Sequence, residues 1–146
     1  MIRFGDIKKT YNNQMVLDIN DFKVEDGLNY IITGPNGSGK STLAKILAGL
    51  ILDDSGIKKI AKNDKNDILS VGYLTQKPYV FDMNLERNIM IKNNDKDKCE
   101  YLINELNISY LKKKNAKKFS GGEQQKMSLA RFMMNDYDIA ILDEPT

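Results

Sequence analysis

The stretch Gly34-Pro35-Asn36-Gly37-Ser38-Gly39-Lys40-Ser41 decides the fold of this chain, because it fits the pattern G-x-x-x-x-G-K-[ST]. Before it, the apolar run within residues 28–33 predicts a short strand. After it, apolar side chains recur at i, i+3, i+4 and i+7, the spacing of one helix face: Leu43, Ile46, Leu47 and Leu50. A strand, a glycine-rich loop and a helix in this order are the setting that the pattern requires.

The residue types of this loop are those that phosphate binding needs. Glycines let backbone N–H groups curl around phosphate oxygens, and a helix N-terminus favours an anion. Lys40 supplies a mobile positive charge for the β- and γ-phosphates, and Ser41 offers a hydroxyl to Mg²⁺. A glycine-rich turn that binds nothing is the alternative, but the flanking elements favour a nucleotide site.

Two carboxylates follow the apolar run of residues 139–142. The run predicts a buried strand, and Asp143 and Glu144 stand where such a strand would open toward a site. Asp143 can then hold a magnesium-bound water, while Glu144 can orient or deprotonate an attacking water. A strand that ends in a helix-capping acid pair is the alternative, which the presence of the phosphate loop disfavours.

The segment Ser120-Gly121-Gly122-Glu123 has a local explanation, because S-x-x-E is a capping box that starts a helix. This explanation leaves the two glycines unaccounted for, since glycine is costly in a first helical turn. A bare backbone that approaches a phosphate would account for them.

The rest of the N-terminal half predicts strands. Residues 2–25 contain alternating apolar runs typical of antiparallel strands, with a one-residue change of phase near residues 19–22 that indicates a β-bulge. Asp26-Gly27 predicts a tight turn. Further strands are expected at residues 57–60 and 71–74, the second of which leads to Gln76.

The C-terminal half is predicted to be mainly helical. From residue 83 the spacing becomes that of helices, most clearly at Cys99, Leu102, Ile103 and Leu106, and residues 124–134 predict another helix. The lysine-rich connector at residues 112–118 has neither arginine nor interleaved aromatics, so a solvated loop is favoured over a nucleic-acid patch.

Composition limits the possible functions. The 146 residues carry 22 basic and 20 acidic side chains, a net charge of +2, which gives no strong field toward nucleic acid or anionic lipid. Cys99 is the only cysteine and histidine is absent, so disulfides and the usual zinc sites lack ligands and a cytoplasmic location is expected. No apolar run approaches the ~18 residues that span a bilayer, so any membrane role would come through a partner.

These motifs, in this order, resemble the ABC ATPase family over essentially the whole chain. Residues 34–42 resemble its phosphate loop, Gln76 its Q-loop, residues 119–126 its signature motif and residues 139–146 its Walker B segment. The resemblance assigns contacts with ATP to Tyr11, Gly34, Pro35, Asn36, Gly37, Ser38, Gly39, Lys40, Ser41, Thr42, Ser120, Gly121, Gly122 and Glu123. It assigns catalytic roles to Lys40, Gln76 and Glu144, and magnesium ligation to Ser41, Gln76 and Asp143. Tyr11 would stack on adenine, with an exposed strand-end tyrosine as the alternative.

The resemblance also implies an architecture. We expect an α/β fold with a RecA-like P-loop core, an antiparallel β subdomain and a small helical insertion, the sheet being incomplete at the C-terminus. Residues 1–75 and 119–146 would form the core with the β subdomain, and residues 76–118 the helical subdomain. Phe119 replaces the family's common leucine, and the sequence ends at Thr146, before its D-loop and switch histidine. We therefore expect little hydrolysis from this chain alone.

The implied function is ATP binding and hydrolysis coupled to transport across a membrane. The expected partners are a second nucleotide-binding domain, in a homodimer or heterodimer, and a transmembrane permease that holds the chain at the cytoplasmic face. No direct contact with nucleic acid is expected. An importer is favoured because the insertion is short. The alternatives are a non-transport member of the translation-factor type and a natural fragment that only binds nucleotide.

Overall fold

The computed structural model describes residues 1–56, 61–63 and 65–144. The strands are β1 (Ile2–Tyr11), β2 (Gln14–Val24), β3 (Val71–Leu74) and β4 (Ile139–Leu142); the helices are α1 (Lys40–Leu47), α2 (Leu85–Ile89), α3 (Lys96–Glu105) and α4 (Gly121–Met133). Short 3-10 turns lie at Ser109–Leu111 and Ala116–Lys118. The strand predicted at residues 57–60 falls outside the described residues.

The N-terminal strands form an antiparallel hairpin, as predicted. Asn12 and Asn13 connect β1 and β2 with φ values of 49° and 62°, the left-handed turn that matches strand twist. The predicted bulge is confirmed: the register shifts between the pairs Gly5↔Phe22 and Ile7↔Ile19. Asp21 lies in this bulge with φ 49°, and its N–H donates to the Asp6 carboxylate at 2.7 Å.

The predicted strands β3 and β4 are also present and pair with each other, but β4 is not the buried strand that was predicted, since Leu142 is 48% exposed. The Ile139 N–H donates to the Ser70 carbonyl at 3.1 Å, and four residues later the Asp143 N–H donates to the Leu74 carbonyl at 3.0 Å. Both bonds advance along the two strands in the same direction, so the pair is parallel. Asp143 and Glu144 therefore directly follow β4, the strand that pairs with β3.

The strand predicted at residues 28–33 is wrong for this structure. No strand is found there, and none of the described segments pairs with it. Ile31 is 88% exposed, and Leu28, Tyr30 and Ile32 are exposed as well. Apolar composition predicts a strand only when a neighbour supplies its hydrogen bonds, and among the described residues this segment has no such neighbour.

Helix α1 is confirmed, but its predicted apolar face is one residue too long. Leu43, Ile46 and Leu47 are buried, whereas Leu50 is 59% exposed. Gly49 adopts φ 66° and ends the helix, with its N–H bonded to the Ile46 carbonyl and the Leu50 N–H bonded to the Lys45 carbonyl, both at 2.9 Å. This is a Schellman C-cap, which turns Leu50 off the helix face.

The chain divides into two compact units. The first comprises Met1–Tyr73 with Tyr137–Ile141, and its core contains Ile2, Phe4, Ile7, Leu17, Leu43, Ile46, Leu47 and Ala61. The second comprises Leu74–Asp136 with Leu142–Thr146, and its core joins α2, α3 and α4 through Leu85, Ile89, Cys99, Leu102, Ile103, Ile108, Leu111, Ala116, Phe119, Met127, Ala130 and Met134.

The second unit includes residues 119–136, which the sequence analysis groups with the catalytic core. Phe119, Met127 and Ala130 pack against the side chains of α2 and α3, because their apolar face has its partners there. The helical subdomain at residues 76–118 stays a prediction. In the described part of the chain, no helix combines the length and apolar character needed to cross a bilayer.

Candidate functional site

The glycine-rich loop has a backbone that only glycine accommodates at its end. Gly39 adopts φ 88° immediately before α1. A Cβ atom there would lie 2.9 Å from Leu17 Cδ2, 3.0 Å from Val16 Cγ1 and 3.2 Å from the Val16 carbonyl oxygen. Gly37 also has a positive φ, 82°, but open space around it. The loop therefore passes close to β2, where a side chain at Gly39 would displace it.

Helix α1 begins without a side-chain cap. Its N-cap is Gly39, which has no side chain to accept a hydrogen bond, and its first turn contains no acidic residue. Lys40 Nζ donates to the carbonyl oxygens of Gly34 and Pro35, both at 2.9 Å. The ammonium group thus lies against the loop backbone, beside a helix end that attracts an anion.

Gln76 and Glu144 are brought together in the second unit. The Gln76 amide Nε2 donates to a Glu144 carboxylate oxygen, and both residues are exposed. Glu144 adopts φ 50°, an unusual left-handed backbone for a glutamate. Two residues that the sequence analysis assigned to catalysis therefore contact each other, although they stand 68 positions apart.

The capping box at the start of α4 is confirmed. The Ser120 N–H donates to Glu123 Oε2 at 2.7 Å, and the Glu123 N–H donates to the Ser120 hydroxyl at 3.4 Å. The Tyr110 hydroxyl adds a bond to Glu123 Oε1 at 3.0 Å. These donors, the Ser120 N–H foremost, hold the pKa of Glu123 below its ordinary value, so the carboxylate stays charged.

Gly121 and Gly122 are exposed, and a Cβ atom at either would meet nothing within 4 Å. Neither has a positive φ. Neither conformation nor crowding among the described residues requires glycine here. Gly121 and Gly122 therefore expose their backbone to open space at the N-terminus of α4.

Tyr11 is the last residue of β1, one position before the hairpin turn. The hairpin takes only two residues for its turn, so the strand extends to Tyr11. The ring is 46% exposed, and Lys9 Nζ lies 5.3 Å from its centroid. The ring is accessible for stacking, while its role at adenine stays a prediction.

The predicted magnesium ligands offer only oxygen donors of the type that Mg²⁺ prefers: a hydroxyl from Ser41, an amide from Gln76 and a carboxylate from Asp143. Ser41 lies in the first turn of α1, in the first unit, whereas Gln76 and Asp143 belong to the second. The described residues contain no group of three or more acidic, cysteine or histidine side chains that could hold a metal. A single carboxylate fits an ion that takes its other ligands from nucleotide phosphates and water.

Sequence reasoning did not single out Asn88 and Arg131. Asn88 is fully buried, and Arg131 on α4 donates to its carbonyl oxygen at 2.7 Å and to its side-chain Oδ1 at 2.8 Å. Burial lowers the pKa of Arg131, which remains charged. An available signal was that Arg131 interrupts the apolar side of α4 and is one of only three arginines in the sequence.

The sequence of this chain is similar to those of known proteins. A family model described as ABC transporter matches residues 17–146. The zinc import ATP-binding protein ZnuC of Wigglesworthia glossinidia brevipalpis is 38% identical over 144 residues, which cover 93% of this chain and 58% of that protein. The tungstate uptake system ATP-binding protein TupC of Peptoclostridium acidaminophilum is 35% identical over 156 residues, covering 99% of this chain and 72% of TupC.

A solved structure supports the same fold. The crystal structure of a nucleotide-free ATP-binding cassette from an ABC transporter superposes with a TM-score of 0.75 at 22% identity, over 100% of this chain and 69% of that chain. The fold is thus the α/β, RecA-like P-loop fold expected from the sequence. Because the family model spans most of its length and its relatives are ATP-binding proteins, the chain belongs to the ABC transporter family as an ATP-binding domain.

Proposed function

We propose that this chain binds ATP with Mg²⁺ as part of the ATP-binding subunit of an ABC transporter, and that the subunit couples ATP hydrolysis to transport. The phosphate loop carries the proposal. Its backbone bends through three glycines with positive φ, its lysine lies across the loop carbonyls, and the helix behind it has no side-chain cap. An anion at this helix end meets N–H groups and an ammonium charge together.

The loop supplies the phosphate contacts of this proposal. Its members are Gly34, Pro35, Asn36, Gly37, Ser38, Gly39, Lys40, Ser41 and Thr42. Lys40 exchanges its bonds with two neutral carbonyls for charged phosphate oxygens, which are stronger acceptors. Tyr11 stacks on the adenine with its exposed ring.

Glu144 acts on the attacking water, and Gln76 positions it. The contact between their side chains supports this pairing, because an amide donor can orient a carboxylate without neutralising it. Ser41, Gln76 and Asp143 hold Mg²⁺, which neutralises charge on the phosphates when bound. This 146-residue chain contains no histidine, so we expect it to bind ATP but to turn it over slowly by itself.

The signature segment serves a second nucleotide-binding domain. Ser120, Gly121, Gly122 and Glu123 open α4, and both glycines lie open to solvent without a conformational need for glycine. A nucleotide presented by another copy or a related domain would explain the exposed backbone, since its phosphates could approach the N–H groups closely. Either a homodimer or a heterodimer satisfies this requirement.

The transport partner is a transmembrane permease, and the subunit is placed at the cytoplasmic face of the membrane. Import is favoured, because relatives at 38% and 35% identity are named for zinc import and tungstate uptake. The transported substrate is recognised by the partner proteins, so the residues of this chain do not define it.

Lys40→Ala tests the nucleotide site, with Lys45→Ala as the matched control. Lys45 belongs to the same helix but is exposed in its last turn, away from the loop. Titration with a fluorescent ATP analogue and Mg²⁺ is expected to show at least tenfold weaker binding for Lys40→Ala and unchanged binding for Lys45→Ala. Equal affinity of wild type and Lys40→Ala, with both folded by circular dichroism, would refute the proposal.

A further inference from the structure

A polar contact of several bonds joins α4 to the segment that follows Gln76. Arg131 uses three of its nitrogen atoms: Nε donates to the Asn88 carbonyl at 2.7 Å, one terminal nitrogen to Asn88 Oδ1 at 2.8 Å, and the other to the Tyr79 carbonyl at 2.8 Å. Its guanidinium carbon lies 5.2 Å from the centroid of the Phe81 ring. One side chain thus contacts α2 and residues 79–81 simultaneously.

Asn88 continues the same network around the backbone of residues 81–84. Its Nδ2 lies within 3.0–3.1 Å of the carbonyl oxygens of Phe81, Met83 and Asn84, and its Oδ1 accepts the Phe81 N–H at 3.1 Å. Asn88 is fully buried and every polar atom of its side chain is bonded. The path of this segment is therefore set by one asparagine and one arginine.

Stability alone does not account for a charge in this place. Within the described residues, Arg131 has no carboxylate partner, and its acceptors are three neutral oxygens and a ring face. Removing a cation from water costs free energy that neutral acceptors offset only in part, so an apolar side chain often serves stability equally well. The planar guanidinium group instead fixes the direction of three hydrogen bonds at once.

We propose that Arg131 is a positioning residue that links the signature helix to the Gln76 segment. Both ends of the link matter for the proposed function on which this inference rests: α4 begins at Gly121, directly after its N-cap Ser120, and Tyr79 follows Gln76 by three residues. A shift of residues 76–81 when a nucleotide engages Gln76 is passed to α4 through the guanidinium group. The position of Gly121 and Gly122 then depends on whether a nucleotide engages Gln76.

Amide hydrogen exchange, followed by mass spectrometry, tests the link in wild type, Arg131→Met, Arg131→Lys and the control Arg87→Met. Arg87 is an exposed arginine in the same unit, on α2. Without nucleotide, Arg131→Met is expected to exchange at least tenfold faster than wild type at residues 77–84, with Lys96–Glu105 within twofold of wild type. Arg87→Met is expected to match wild type throughout.

Arg131→Lys keeps the positive charge but removes the planar guanidinium group. We expect its exchange at residues 77–84 to resemble that of Arg131→Met, because one ammonium group cannot make all three directed bonds. Protection equal to wild type in Arg131→Lys would overturn the proposal, since charge alone would then suffice. Faster exchange spread evenly over the whole unit in Arg131→Met would overturn it too, since the role would be general stability.

The second readout adds ATP and Mg²⁺. In wild type, we expect nucleotide to alter the amide exchange rate at residues 119–126. In Arg131→Met, we expect this alteration to be at least threefold smaller, while the affinity for ATP stays within twofold of the wild-type value. An undiminished change in Arg131→Met, or no change in a wild type that binds ATP, contradicts the link. If wild type binds no ATP, the proposed function fails, whereas the comparison without nucleotide still decides whether Arg131 positions the segment.

Discussion

Replacing Gly39 with alanine is expected to destabilise the phosphate loop through two separable effects. Alanine at φ 88° adopts a left-handed backbone, which costs about 1–2 kcal/mol. Its Cβ atom would also lie 2.9–3.0 Å from the ends of the Leu17 and Val16 side chains and 3.2 Å from a backbone oxygen. Crowding of this kind costs about 1–3 kcal/mol, because a backbone atom cannot rotate away as a side chain can.

Gly37→Ala is the matched control, because it carries only the first effect. Gly37 has φ 82°, close to that of Gly39, but a Cβ atom there meets nothing within 4 Å. We expect Gly37→Ala to cost about 1–2 kcal/mol and Gly39→Ala about 2–5 kcal/mol of unfolding free energy. At about 2–4 °C per kcal/mol for a chain of this size, the melting temperatures should differ by about 2–12 °C.

Thermal melts of both variants and wild type, followed by circular dichroism without nucleotide, measure this difference. Titration with an ATP analogue then measures whether the displaced loop also binds phosphate less well, which we expect for Gly39→Ala more than for Gly37→Ala. Equal melting temperatures for the two variants would refute the close approach of the loop to β2, and with it the steric need for glycine at residue 39.

Three further predictions concern other residues. Asn88→Asp should destabilise the chain by about 2–4 kcal/mol in urea unfolding, because three part-buried carbonyls lose their donor and the new charge beside Arg131 offsets this loss only in part. An unchanged midpoint would show that these bonds contribute little. Tyr11→Ala should weaken ATP binding by about 1–3 kcal/mol, whereas Tyr11→Phe should weaken it little, since stacking needs a ring and not a hydroxyl. Equal affinity of wild type and both variants would show that Tyr11 serves only the structure of the hairpin. The pKa of Glu123 is lowered from its ordinary value of 4.5, so the capping box contributes stability above that value and loses it as the pH falls through the lower folded pKa. Protection of the amides at residues 120–124, measured as their exchange rate relative to an unstructured peptide at the same pH, should fall there; unchanged protection from pH 5 to pH 2 would contradict this.

Local patterns in the sequence predicted much of this structure. The capping box at Ser120 and Glu123, the bulge near Asp21 and the helix after Lys40 all form from neighbouring residues, and all are present. Strands β3 and β4 were likewise predicted from their apolar runs. In each case the residues that determine the element lie within a few positions of one another.

Features that depend on distant partners were missed or misplaced. The strand at residues 28–33 needs a neighbouring strand, which its own sequence cannot supply. The contacts of Arg131 with Asn88 and Tyr79 join positions 43 and 52 residues apart, and no periodicity reports such pairs. The roles of the site residues in ATP binding and hydrolysis stay predictions, because they concern molecules outside the chain.

The exposed residues 28–32 have a consequence for the behaviour of this chain at high concentration. The segment Leu28-Asn29-Tyr30-Ile31-Ile32 carries no charge and no proline, and its large apolar side chains face solvent. Short segments of this composition pair with copies of themselves as intermolecular β-structure. We therefore expect aggregation through this segment, rather than unfolding, to limit the concentration that samples of this chain can reach. A single charged substitution, Ile31→Lys, should raise the concentration at which turbidity begins, because Ile31 is the most exposed apolar residue of the segment. We therefore expect the solubility of this chain to be limited by five residues that only Thr33 separates from the phosphate loop.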